Sequence, residues 1–203
     1  MHIKTSLFLA AAMAALPSHG ESLRHVQTQR VVIPHSGYVV SVGPETRAAA
    51  GTAPRVDMVK AMMAWLARSF DLPAGTSPPA VRFESGKKIA AFRYTGVLSD
   101  APDVLAAIPP GQREVVAAYD PLTATVYLPA GWSGATPVEL SILVHELVHH
   151  LQRAGGLHYE CVQASEELAY AAQDKWLSLF GRTLAGEMEI DAFTVVVSTR
   201  CIY

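Results

Sequence analysis

The residues most able to do chemistry lie together in SILVHELVHHLQRAGG, positions 141–156. His145 and His149 are four apart, with Glu146 between them and His150 just after. Positions four apart on an α-helix are separated by about 40° around its axis. Both imidazoles therefore project from one side, a turn apart, and can reach one ion. Glu146 is turned about 100° from His145. It is poorly placed to share the ion, but well placed beside it as a base acting on water. The competing reading is a polar face on an ordinary helix.

The surrounding residues predict such a helix. Leu140, Leu143, Val144, Leu147, Val148 and Leu151 cluster on one side, and the histidine pair falls roughly opposite. One face can then pack on a sheet while the other meets a ligand and a second helix. Thr136-Pro137 suits the start and Gly155-Gly156 the end. His150 falls at the edge of the apolar stripe and is not assigned to the metal.

A catalytic zinc usually has three protein ligands and one open position. The pattern HExxHxxGxxH fails here, because positions 152 and 155 are Gln152 and Gly155. His158 and Glu160 are available in a following loop. The better candidate lies in SEELAYAAQDKW, which reads as a second helix with Ser165 as its cap and Gly181 after its end. At 100° per residue, Tyr170, Gln173 and Leu177 fall within about 40° of Glu166, so Glu166 lies on a mostly apolar face. A carboxylate there needs a partner. That partner is a metal or an arginine, with Arg93 and Arg153 the candidates. Glu167 falls on the polar side.

HELVH with a glutamate in EELAY 17 residues later resembles the gluzincin group of zinc metallopeptidases. The resemblance covers roughly residues 115–180. It implies Zn2+ held by His145, His149 and Glu166, with Glu146 as general base in peptide-bond hydrolysis. Where the group commonly has an acid four residues after the ligand glutamate, this chain has Tyr170. Tyr170, His158 and Tyr159 are the candidates for stabilising an oxyanion. The group also places an antiparallel edge strand beside the zinc helix to pair with extended substrate, and TATVYLP, 123–129, resembles it, against the alternative of an ordinary interior hairpin strand. The implied fold is α+β and zincin-like.

The other elements must position this site. RVVIPHSGYVVSVG suggests a bent strand pair, and PRVDMVKAMMAWLARSF from Pro54 a helix with Val56, Val59, Met63, Leu66 and Phe70 inward. DLPAGTSPP is a linker. AVRFES and KKIAAFRYTG are read as two short strands, SDAPDVLAAIPPG as a short helical turn, and REVVAAYDPLTATVYLPAGW as a hairpin about Asp120-Pro121. The tail adds a helix or a last strand.

A chain of 203 residues suits one domain, and half of it is hydrophobic, enough for a core. The formal charge of −2 with no basic run argues against nucleic acid. MHIK, the apolar run TSLFLAAAMAAL and PSHG read as a secretory leader, residues 1–20, cleaved near Gly20. The run is too short to span a bilayer, no other stretch does so, and no cysteine follows it to take a lipid anchor. The expectation is a secreted or periplasmic protein whose single domain spans 21–203, with residues 21–55 either in the fold or a pro-segment. Cys161 and Cys201 then suggest one disulfide, against two free thiols. The functional expectation is a zinc-dependent hydrolase of peptide or protein substrates. The alternatives are a non-catalytic zinc-binding envelope protein or a metal-free interaction module.

Overall fold

The computed structural model describes residues 27–49, 51–108 and 116–201. The expected leader, residues 1–20, lies outside them. Strands β1 (Gln29–Val32) and β2 (Val39–Val42) form an antiparallel hairpin, as their β-type residues predict. Its bend needs left-handed backbone at His35 (φ 64) and Gly37 (φ 68). Helix α1 (Val56–Phe70) follows, and buries Val59, Met62, Met63, Trp65 and Leu66. Val56, expected inward, is exposed because it opens the first turn, before the helix meets its neighbours.

Strand β3 (Ala80–Glu84) is the first of a second sheet. The segment after it is a helix, α2 (Gly86–Thr95), not the expected strand. Ser85 caps it by accepting the Lys88 backbone N–H, and Gly96 ends it at φ 75. Its buried residues point two ways, Ile89 packing with Ala118 and Tyr127 and Ala90 and Ala91 with Ile108, so the consecutive apolar residues of KKIAAFRYT show no clear helical period. Helix α3 (Pro102–Ala107) follows, then β4 (Ala118–Asp120) and β5 (Thr125–Pro129), the expected hairpin.

The sheet order is β3-β5-β4, with β5 parallel to β3 and antiparallel to β4. Strand β5 is thus central and cannot be the edge that the resemblance implied for 123–129. The physical reason is burial. Thr125, Val126, Tyr127 and Leu128 are all buried, and a strand covered on both faces belongs inside a sheet. Among the described residues the edge is β4.

Helix α4 (Pro137–Ala154) lies at the centre of the molecule. Thr136 and Glu139 form a reciprocal capping box at its start. Glu139 also takes the backbone N–H of Ser133 and Ala135, locking the approach from β5. At its far end Gly155 is backed so closely by Pro73 that a Cβ would collide with the proline ring. All six predicted stripe residues are at most 1 % exposed and join one core with the hairpin, α1 and the sheet. Each such burial stabilises the fold by roughly 1.5–3 kcal/mol.

Helix α5 (Glu166–Ser178) packs along α4. Ser165 sits at its cap position but does not cap it, because its hydroxyl donates back to the Val162 carbonyl in the preceding 3-10 turn. Helices α6 (Leu184–Met188) and α7 (Ala192–Thr199) complete the chain, so the tail is helical. The whole is α+β. No helix among the described residues is long and apolar enough to cross a membrane.

Cys161 and Cys201 are bonded, at a sequence separation of 40. The bond ties the end of α7 to the loop just before α5. In the chain-entropy account a loop of that length stabilises by about 4 kcal/mol. Replacing both cysteines by serine should lower the unfolding free energy by up to about 4 kcal/mol, read from urea denaturation midpoints at constant m-value.

Candidate metal centre

The structure brings His145, His149 and Glu166 together, one ligand atom of each within 4.8 Å of the others. Helix α4 supplies the histidines a turn apart, their rings 5.0 Å between centroids. Helix α5 supplies Glu166 from its first turn. Glu166 Oε2 lies 3.0 Å from His145 Nε2 and 3.5 Å from His149 Nε2. Glu166 is buried, while Glu167 is exposed.

Hydrogen bonds settle which imidazole nitrogens face this point. Gln152 donates its amide N–H to the Ser165 carbonyl, which can only accept, so its oxygen faces His149 Nδ1 at 3.0 Å. Gln173 is oriented the same way. Ser141 commits its hydroxyl proton to the Val138 carbonyl and so accepts from Gln173 Nε2, leaving the Gln173 oxygen 3.2 Å from His145 Nδ1. Both histidines must then carry a proton on Nδ1 and present Nε2 inward. Two imidazole nitrogens and a carboxylate oxygen converge as acceptors, an arrangement that requires a cation between them. Protons or a metal ion can serve. Glu146 Oε2 is buried without a hydrogen-bond partner among the described residues, and His149 Nε2, also buried, has only the long 3.5 Å approach of Glu166 Oε2. The residues therefore fit a metal ion, and this His-His-Glu group could hold one.

Arg93, named with Arg153 as the alternative partner for Glu166, does pair with it, at 3.0 Å. It contacts Oε1 and leaves Oε2 on the histidine side. Metal ligation and the arginine pair are thus compatible on one carboxylate. Burial raises the Glu166 pKa, but hydrogen bonds from His145 and His149 and the charges of His149 and Arg93 outweigh it and hold the carboxyl far below its ordinary range. Burial disfavours the charge on His149, yet Glu166 and Glu146 together raise its pKa above the ordinary value.

Glu146 is 3 % exposed and lines a cavity of about 370 Å³ with His145, Glu166, Arg93 and Tyr170. Tyr170 stands edge-on to His145, centroids 5.1 Å apart. Burial and the Glu166 charge raise its pKa, keeping the phenol a proton donor at neutral pH. Of the other oxyanion candidates, Tyr159 lines a neighbouring cavity, while His158 is exposed in the loop after α4. Glu160 is exposed in that loop and is outside the ligand group. His150 faces away. Its Nε2 donates to the Ser77 carbonyl at 2.8 Å and its Nδ1 meets the Tyr119 hydroxyl at 3.1 Å, so it ties β4 and the 71–79 linker to α4. Gln152 and Gln173 were not identified from the sequence, although Gln173 shares the Glu166 face and Gln152 follows His149 by three.

The profile of a family described as "Domain of unknown function (DUF6647)" matches residues 51–203. No curated protein and no solved structure matches the chain.

The metal-free site has a defined pH response. Glu166's depressed pKa contributes stability above the ordinary 4.5, lost as pH falls through the depressed value. His149's raised pKa contributes stability below the ordinary 6.5, lost as pH rises through the raised value. A metal must displace the His149 proton. At pH 6.5 binding should release more than half a proton per ion, and affinity should tighten as pH rises further, both read by calorimetry in buffers of different ionisation enthalpy. Gln173→Ala should weaken metal affinity about 10–100-fold in the same titration, because His145 loses its orienting acceptor.

Proposed function

We propose that this chain, which belongs to the DUF6647 family, is a zinc-dependent hydrolase of peptide bonds acting outside the cytoplasm. One observation carries the reading: three acceptor atoms converge on one buried point, with the unpartnered Glu146 Oε2 close by. A structural metal site has no use for such a base. Two imidazoles and one carboxylate are a donor set suited to zinc, with a fourth position left open. A zinc ion held by His145, His149 and Glu166 would polarise a carbonyl and bring the pKa of water toward 7.

The chain's own residues supply the remaining functions. Glu146 Oε2 accepts the proton of the attacking water and passes it to the leaving amine nitrogen. The Tyr170 hydroxyl, in the same cavity, donates to the oxygen that gains charge. Gln152 and Gln173 keep both histidines in the productive tautomer. Arg93 holds Glu166 by its outer oxygen, which orients the inner one. Strand β4 takes the role first assigned to 123–129. Among the described residues its outer edge is unpaired, Val116 and Ala117 line the cavity with Glu146, and Tyr119 and Pro121 line the one with His149. An extended peptide pairing there would lie across the metal centre. The gluzincin-like arrangement and zincin-like fold are part of this proposal. So is export, which rests on the leader-like residues 1–20 and agrees with the disulfide.

Glu146→Gln should keep the metal and lose hydrolysis by about 10²–10⁴-fold, measured as cleavage of a quenched peptide library with bound zinc quantified in the same samples. Retained cleavage in that variant would refute the base assignment. A wild type that holds zinc and cleaves nothing would make this a non-catalytic metal protein.

A further inference from the structure

We infer that the substrate of the proposed hydrolase carries a carboxylate on one side of the cleavage point and an apolar side chain on the other. This rests on the hydrolase reading and adds a substrate class to it. Two cavities, of about 370 and 350 Å³, share Arg93 and Glu166 as a common wall, and they divide the ligand group between them, the first lined by His145 and Glu146 and the second by His149. Their linings differ. Beyond the site residues, the cavity holding Glu146 is walled by Val116, Ala117, Ile142, Met188 and Ile190. It suits an apolar group.

The cavity holding His149 contains Arg153. Arg153 follows His149 by four residues, so it projects from the same side of α4, one turn on. It has no ion pair among the described residues. The acid in that cavity's lining is Glu166, whose Oε1 is held by Arg93 and whose Oε2 faces the histidines. Around Arg153 stand Phe92, Tyr119, Leu157, Tyr159 and Val162, which offer little competing charge. A guanidinium with an unfilled fork in such surroundings binds a carboxylate through paired charge-assisted hydrogen bonds. An aspartate or glutamate side chain and a free peptide C-terminus share that chemistry.

The test uses the full zinc-loaded chain on an equimolar library of acetylated octapeptides, once with amidated and once with free C-termini. Cut sites are read by mass spectrometry. The expected result is about tenfold enrichment of Asp or Glu on one side of the bond in the amidated library, the size of one charge-assisted contact, with apolar residues on the other. Enrichment near the terminus in the free library alone would identify the terminal carboxylate as the group bound. Arg153→Glu should invert the preference toward Lys and Arg, and Arg153→Gln should abolish it. Cleavage without acidic enrichment, or enrichment unchanged in Arg153→Glu, would overturn the inference and leave the hydrolase reading standing.

A binding arm separates the two failures. The Glu146→Gln protein is titrated with fluorescein-labelled amidated octapeptides that differ by one Asp-to-Asn exchange. Tighter binding of the Asp peptide, reversed by Arg153→Glu, with no cleavage by the wild type, would sustain the carboxylate site and remove the hydrolase. Neither cleavage nor charge-dependent binding would remove both.

Discussion

Three acceptor atoms that converge in a buried place need a cation to share, and several features of this molecule lead to that point. His145 Nε2, His149 Nε2 and Glu166 Oε2 converge in a buried place, where unpaired polar atoms are expensive. The convergence is not an accident of rotamers. Two backbone carbonyls, of Ser165 and Val138, set the orientation of Gln152 and, through Ser141, of Gln173, and these set the imidazole tautomers. A cation is the natural solution. A proton on His149 serves in the metal-free chain, and a metal ion could satisfy all three atoms at once.

The fold is arranged to hold that point still. Helix α4 is anchored at one end by Glu139 and its capping box and at the other by Gly155 against Pro73. Its apolar stripe is buried against the hairpin, α1 and the sheet, which leaves its histidine face toward α5. The Cys161–Cys201 bond and the packing of α7 on α5 steady the segment from which Glu166 projects. His150 ties the edge strand β4 to the same helix that carries the histidine pair.

The metal helix was legible in the sequence because its signals are local: a 3.6-residue apolar stripe, Thr136 with Glu139 three later, and glycines at the end. Glu166 was legible because a carboxylate on an apolar helix face needs a partner; of the two weighed, a metal or an arginine, Arg93 pairs with it, and the histidines beside it complete a group that could hold a metal. The disulfide followed from there being two cysteines. Long-range pairing was not legible. KKIAAFRYT was read as a strand because adjacent apolar residues mask a short helix's period, and only the Ser85 cap and Gly96 point to a helix. For β5 the resemblance implied an edge and an interior strand was the alternative; nothing local decides between them, because β3 pairs with it across two intervening helices. The glutamines were missed because a carboxamide has no charge whose burial demands an explanation.

The central claim is that His145, His149 and Glu166 hold one metal ion. Zinc per chain, by elemental analysis of protein purified without chelator or a histidine tag, tests it most directly. The account predicts one ion per chain in the wild type and near-complete loss in His145→Ala. No ion bound, and none taken up on addition of zinc, would contradict it, leaving the cluster as a protonated His149–Glu166–Arg93 ion-pair network and removing the hydrolase with it.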